Sequence, residues 1–384
     1  MRVAPSWLQA PDLQKIFDAL GDYQVFAVGG CVRNELLERP ITDIDMSTNA
    51  TPTEVIAALH AAGIKTVPTG IDHGTITAVL DEPYEITTFR RDVATDGRRA
   101  VVAFADTIDA DSLRRDFTVN ALYVDRDGVV HDPQNGLTDI DPFRLRFIGD
   151  ADARIEEDYL RILRFFRFFA QYGDPAHGID ADGLAACAAG ADGLNDISRE
   201  RIGQEMLKLL AANDPAPALA AMAQSGVLLR VVPGADVVAF PILVHFESLA
   251  GASPSAVRRL ALLGNFDPMT AFRVSKAQAL TYHQLRDAAL DDISPAVTGY
   301  RLGAELGLDA VLIRAALTQM PPAEGAAAQV SWGAKQVFPL VAVDIMADYS
   351  GPALGVALKS AKDTWIASGF TATKADLIEH LRSA

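Results

Sequence analysis

Short apolar, β-branched runs crowd the first 140 or so residues of this chain and then stop, and that change of pattern restricts its possible folds most strongly. "YQVFAVGG" reads as a strand halted by Gly29 and Gly30. "CVRNELLER" has helical spacing, with Val32 and Leu36/Leu37 on one side, and Pro40 closes it. "ITDIDMST" predicts a strand. "ATPTEVIAALHAAG" predicts a helix capped by Thr51 or Thr53, with Gly63 near its end. "GTITAVLDEPYEITTF" predicts a hairpin about an Asp-Glu-Pro turn, and "FTVNALYVDRDGVVHDPQNG" another across Arg126-Asp127-Gly128. Between them, "RRDVATDGRRAVVAFADTIDADS" is polar and interrupted by Gly97, which predicts a long loop or lid.

Beyond residue 150 the pattern is helical. "ARIEEDYLRILRFFRFFAQYG" predicts one helix ending at Gly173, and "ISRERIGQEMLKLLAAN" another capped by Ser198. The rest is Ala- and Leu-rich helix punctuated by Pro and Gly. The expected class is α+β: a head with a small mixed β-sheet over 1–140, a helical neck over 141–215, and an all-α body and tail over 216–384.

With 384 residues, more than one core is expected. No apolar run is long enough to span a bilayer. The first residues lack the apolar core of a signal peptide and are too acidic for a transit peptide. Cys31 and Cys187 are the only cysteines and form no C-x-x-C pair, so a reducing cytoplasm is expected. The net charge of −16 repels polyanions at long range, so any nucleic acid must be held by local basic patches.

The chemistry concentrates in "GGCVRNELLERPITDID", residues 29 to 45. On a strand, Asp43 and Asp45 share one face, and two carboxylates that close raise each other's pKa unless a cation lies between them. Mg²⁺ suits such a pair, because it takes one or two carboxylates together with substrate phosphates. Two ions about 3.5–4 Å apart would serve an in-line displacement, and Glu85 in "YEITTF" is the candidate third carboxylate. Gly29 and Gly30 let backbone N–H groups approach an anion where a helix begins, and Arg33 follows one turn later as a phosphate clamp. A dinucleotide-binding turn is disfavoured because G-x-G-x-x-G is absent. A nucleotide-sugar glycosyltransferase also uses D-x-D, but it explains none of the later motifs.

Five ordered stretches now carry a family resemblance: "GGCVRNELLERPITDID", "RRDFTVNAL" from 114, "DPQNGLTDI" from 132, "EDYLRILRFFRF" from 157 and "ISRERI" from 197. The chain resembles the class II CCA-adding tRNA nucleotidyltransferases and bacterial poly(A) polymerases, over roughly residues 23–210. The resemblance implies a five-stranded nucleotidyltransferase head with helical neck, body and tail. It implies metal binding by Asp43 and Asp45, and triphosphate contacts from Gly30, Arg33 and Arg115. It also implies nucleotide binding by Asp158, Arg161, Arg164 and Arg167, with CTP, ATP and tRNA as partners and no protein partner. Asn34 stands where the family usually has Asp, and Glu38 where it usually has Gly.

Positions 158, 161, 164 and 167 are three apart and would fan slowly around a helix, while Leu160, Leu163, Phe166 and Phe169 take another face. Asp158 can accept from the exocyclic amine of C or A, and Arg161 can donate to a ring nitrogen; U and G present the opposite pattern. A solvated Glu/Arg helix is the plainer alternative. "RRDVATDGRRAVV" resembles the family's flexible loop, which disfavours a CC-only enzyme. The stretch "TGIDHGTIT" replaces the basic signature of the poly(A) polymerase branch. His131-Asp132 lacks the helical partners of a phosphohydrolase. Arg90, Arg91, Arg98 and Arg99 would concentrate positive charge near the site, and Arg258, Arg259, Lys276, Lys359, Lys362 and Lys374 would form a basic stripe for RNA. The expected function is CCA addition. Its rivals are an A-adding enzyme or poly(A) polymerase, and a catalytically silent RNA-binding relative.

Overall fold

Strand β1 (Val25–Val28) is buried at all four positions, as the apolar run ending at Gly29 requires of a central strand. In the computed structural model, which describes residues 1–95, 100–141 and 143–383, β1 lies inside a seven-stranded sheet. The other strands are β2 (Asp45–Thr48), β3 (Lys65–Gly70), β4 (Thr75–Val79), β5 (Pro83–Thr88), β8 (Tyr123–Val124) and β9 (Val130–His131). Their order is β3-β4-β5-β2-β1-β8-β9. The β2–β5 pair is parallel and the rest are antiparallel, so the sheet is mixed. It has two more strands than the five implied by resemblance, and β8 and β9 are two residues each.

Both expected hairpins form, β4–β5 and β8–β9. The stretch expected as a loop or lid differs: β6 (Arg90–Thr95) and β7 (Ala100–Phe104) pair antiparallel as a separate ribbon. The charged residues and Gly97 in this stretch hide the ribbon in the sequence. Arg98 and Arg99 lie outside the described residues.

Strand β2 is shorter than expected, beginning at Asp45 and leaving Asp43 in the coil before it. The register supplies the reason. Ala27 pairs with Met46, so continuing the ladder sets Gly29 and Gly30 opposite Ile44 and Asp43. There β1 has already turned out of the sheet into a helix, so β2 has no partner left on that side.

Helix α1 (Pro11–Ala19) precedes the sheet, and α2 (Gly30–Leu36) leaves directly from β1. Helix α3 (Pro52–Ala61) begins with a capping box: Thr51 Oγ1 accepts from the Glu54 N–H, and the Glu54 carboxylate accepts from the Thr51 N–H. It packs on β3 and β4 through a face that includes buried Val55 and Leu59.

The first predicted neck helix is two helices, α4 (Ala151–Glu157) and α5 (Leu160–Tyr172), not the single helix the periodicity predicts. Asp158 breaks it: with φ −154° and ψ 101° its backbone is extended, and its carboxylate accepts from the Leu160 N–H at 3.1 Å. An aspartate offers the backbone this alternative to continuing a helix. Helix α6 (Arg199–Leu210) follows, capped by Ser198 Oγ, and packs along α5.

All of this lies in one compact unit, Met1–Ala235; Asp236–Ala384 forms a second, helical among its described residues. In that unit α7 (Phe240–Ala250), α8 (Ala256–Leu263) and α9 (Ala304–Thr318) enclose an ion cluster. Arg258 Nε donates to Glu247 at 2.7 Å, Arg258 also pairs with Asp309, and Arg259 Nη2 pairs with Glu247 at 2.7 Å. Arg258 and Arg259 are therefore not part of a basic stripe, being 3% and 1% exposed. Lys276, Lys359, Lys362 and Lys374 are exposed, Lys362 over the Tyr300 ring and Lys374 paired with Asp344.

Candidate active site

The turn from β1 into α2 is made possible by Gly29, whose φ of +74° disfavours any side chain. A Cβ there would lie 3.5 Å from Arg115 Nη1 and from the Asn120 carbonyl. These are ordinary contact distances, so the backbone conformation and not lack of space calls for glycine, and the Arg115 guanidinium lies close beside the turn.

Beside this turn, Asp45 on β2 is the register partner of Glu85 on β5. In a parallel pair such partners share a face, and the burial of Tyr84, Ile86 and Thr88 leaves Glu85 on the exposed one. Asp45 is likewise exposed as a residue, yet the atoms crowding its carboxyl push its pKa up; Glu85 and Asp43 add to this, and Arg115 opposes it. Three carboxylates thus act on one point of the sheet edge. Among the described residues no group of three or more His, Cys, Asp or Glu side chains is placed to hold a metal ion by itself. The donor chemistry fits a hard divalent ion, since a cation is what relieves mutual repulsion among carboxylates, and such ions complete their shell with phosphate oxygens and water.

Two arginines flank the edge. Arg115 donates to Asp111 at 3.0 Å through Nη2, to the Tyr123 hydroxyl at 3.0 Å through Nε and to Ser47 Oγ at 3.2 Å. Burial alone would lower its pKa, but Asp111 and Tyr123 raise it, so its charge is secure. Arg33 on α2 is 6% exposed. Its donors go to Asn34 Oδ1, to Asn120 Oδ1 and to the Tyr172 hydroxyl at 2.8 Å, and its guanidinium stacks on Phe168 and Tyr172 of α5. Asn34, where resemblance leads one to expect Asp, accepts these bonds as a neutral group.

From Asn120 the chain of contacts runs on. Asn120 Nδ2 donates to Asp116 at 3.0 Å, and Asp116 accepts from Arg164 Nε at 2.7 Å. Arg167 Nε donates to Glu205 of α6 at 2.6 Å, and Arg164 Nη1 lies 3.9 Å from the same carboxylate. Arg33, Arg164 and Arg167 are therefore held in one network, while Arg115 is held by its own partners, Asp111, Tyr123 and Ser47, beside the glycine turn. The other two neck residues take different partners. Asp158, off the helix, is paired with Arg201 at 2.7 Å. Arg161 donates to Glu157 at 2.6 Å, to the Arg154 carbonyl at 2.7 Å and to the Arg114 carbonyl at 3.0 Å. The side chains of Asp158 and Arg161 are not bonded to each other, although each keeps hydrogen-bonding capacity for a base.

Asp111, Asp116, Asn120, Tyr172, Arg201 and Glu205 complete the network without standing out in the sequence. Glu205 carries a signal all the same: it lies on the stripe of Ile202, Met206 and Leu209, and a carboxylate on an apolar face needs a cation.

Residues 25–146 match the poly A polymerase head domain, and residues 178–238 match a segment described as the probable RNA and SrmB-binding site of polymerase A. The chain thus carries two segments similar to those of poly A polymerases, in the same order along the sequence. It is 41% identical over 218 residues to human mitochondrial CCA tRNA nucleotidyltransferase 1, covering 54% of this chain and 50% of that protein. It is 45% identical over 206 residues to the CCA-adding enzyme of Streptococcus pyogenes, covering 53% and 49%. The chain thus spans about half the length of the curated relatives it matches. Among solved structures, that of Bacillus stearothermophilus CCA-adding enzyme in complex with CTP superposes with a TM-score of 0.77. It is 28% identical and covers 97% of this chain and 98% of that one. Thermotoga maritima CCA-adding enzyme complexed with tRNA shares the fold, with a TM-score of 0.73 at 18% identity, covering 100% and 96%.

Proposed function

We propose that this protein adds C, C and A in turn to the 3′ end of tRNA, using CTP and ATP and releasing pyrophosphate. The observation that carries the reading is the likeness to the CTP-bound Bacillus enzyme along nearly the whole of both chains, at 28% identity. In each step the RNA 3′-oxygen forms a bond to the α-phosphorus, and the bond from that phosphorus to the β-phosphate bridging oxygen breaks.

Asp43 and Asp45 would hold two Mg²⁺ ions, with Glu85 as the further carboxylate. When bound, the ions lower the pKa of the attacking hydroxyl and stabilise charge on the attacking and leaving oxygens. Gly29 and Gly30 let the triphosphate come close to the backbone. Arg33, Arg115, Arg164 and Arg167 neutralise and orient it, which is the larger part of catalysis in phosphoryl transfer. Asp158 accepts the exocyclic amine shared by C and A, and Arg161 donates to the neighbouring ring nitrogen, so U and G are refused. Recognition of tRNA is by the shape of its arm more than by base sequence. The two isolated cysteines, both buried, support a reducing compartment such as the cytoplasm. Among the described residues no helix is long and apolar enough to cross a membrane.

The head-domain match bears the name of poly A polymerase, which keeps A-only or poly(A) addition as the second reading. One assay separates the two. Purified protein is incubated with Mg²⁺, each NTP and transcripts ending at the discriminator base, at C or at CC. Ordered growth by C, C and A is expected, and Asp43→Ala abolishes growth while RNA binding persists. Long A tails, or A added only to CC ends, would replace the proposal with the second reading.

A further inference from the structure

Three of the four clustered arginines have a carboxylate partner: Arg115 has Asp111, Arg164 has Asp116 and Arg167 has Glu205. Arg33 is at least as deeply buried, yet among the described residues no carboxylate lies within ion-pair distance of it. Its bonds go to neutral oxygens only, on Asn34, Asn120 and Tyr172. Of its five N–H donors four are engaged, which leaves one on Nη1.

A buried guanidinium with no carboxylate bonded to it is costly; Asp116 acts on it only from beyond Asn120, and aromatic faces offset a further part of that cost. The Arg33 carbon Cζ sits 4.5 Å from the Tyr172 ring centre and 5.0 Å from that of Phe168. Tyr172 is itself fixed, stacked on Phe143 at 5.3 Å and on Phe168 at 5.9 Å. Its hydroxyl accepts from Arg33 Nη2 at 2.8 Å and donates to Asn34 Oδ1 at 3.1 Å. A carboxylate in that position would orient Arg33 equally well but would cancel its charge. A tyrosine orients it and leaves the charge in place.

We propose that Tyr172 is the positioning residue for Arg33: its ring and hydroxyl hold an unneutralised cation beside the glycine turn, reserved for the phosphates of the incoming nucleotide. The proposal deepens the reading of Arg33 as a triphosphate contact and rests on it. Because Tyr172 acts on the phosphate tail and not on the base, its loss must affect CTP and ATP alike.

The test compares Tyr172→Leu, Tyr172→Phe, Arg33→Ala and the Arg33→Ala/Tyr172→Leu double variant in the full chain. Steady-state kcat and KM are measured for CTP and ATP, and pyrophosphate binding by calorimetry in Mg²⁺. Tyr172→Leu is expected to raise both KM values by the same factor, about tenfold, with kcat changed less than about twofold and pyrophosphate weakened in step. Tyr172→Phe keeps the ring and loses about threefold. In the Arg33→Ala background Tyr172→Leu adds nothing, a coupling that a merely structural tyrosine would not show. If Arg33→Ala weakens pyrophosphate but Tyr172→Leu and Tyr172→Phe do not, Tyr172 has no positioning role. If Arg33→Ala itself leaves pyrophosphate affinity unchanged, Arg33 is no phosphate contact and both readings fall.

Discussion

Asp116 accepts at once from Arg164, from the Asn120 side chain and from the Phe117 N–H, so a single carboxylate joins the head to the neck helix. Burial alone would raise its pKa, but Arg164 and these donors hold it below the ordinary carboxylate range. A depressed carboxylate stabilises the folded state above its unfolded pKa of about 3.9, and that contribution drains away as pH falls through the lower native value. Asp116→Asn is therefore expected to lose roughly 2 kcal/mol at neutral pH, with the gap from the native protein closing in acid. Urea unfolding from pH 7 down to pH 3 measures this; a gap that stays constant would mean the charge contributes nothing. At this scale the sequence is informative wherever a residue departs from its surroundings. Asp43, Asp45 and the glycine pair stand out because strands seldom carry them, and Glu85 follows from the alternation of its own strand. Asn120 and Tyr172 do not stand out, because their partner Arg33 is 87 and 139 residues away and nothing local marks the contact.

Among elements, the break between α4 and α5 shows how one side chain serves structure and the proposed site together. Asp158 ends a helix, caps the next through Leu160 and pairs with Arg201. Asp158→Ala removes the cap and is expected to cost about 1 kcal/mol. Asp158→Asn keeps a carbonyl oxygen for Leu160 and so spares most of that stability. Both variants are expected to relax the choice of C and A over U and G, read as misincorporated UMP and GMP. If Asp158→Asn discriminated as sharply as the native protein, the charge would have no part in reading the base. The helical period over 151–172 is legible, but its interruption is not, because Asp158 suits both a helix interior on a polar face and a cap. The β6–β7 ribbon is hidden for the opposite reason: Gly97 and the polar residues around it in the sequence make the whole stretch read as loop.

For the whole molecule, a net charge of −16 and a polyanionic substrate are compatible only if positive charge is local. Few phosphate contacts then predict a shallow dependence of RNA affinity on salt. Filter binding from 50 to 200 mM salt measures it, and a steep slope would require a wider basic face. The sequence misleads at Arg258 and Arg259, since burial of a charge depends on partners such as Asp309, 51 residues distant. Arg258→Ala leaves Glu247 and Asp309 short of a counter-charge in the interior and is expected to cost about 3–5 kcal/mol in chemical unfolding. The division into a β-containing head and helical remainder is legible throughout, because a period of two and a period of 3.6 cannot be confused over long runs. Nucleotide transfer is expected to depend most on divalent ions held at the carboxylate edge of β2 and β5. The direct measurement is CMP incorporation into tRNA lacking its 3′ end, titrated with Mg²⁺ for the native protein and for Asp45→Ala. Saturable metal dependence, no incorporation in EDTA, and none at any Mg²⁺ concentration for a folded, RNA-binding Asp45→Ala are predicted. Incorporation that survives EDTA or the loss of Asp45 would contradict it.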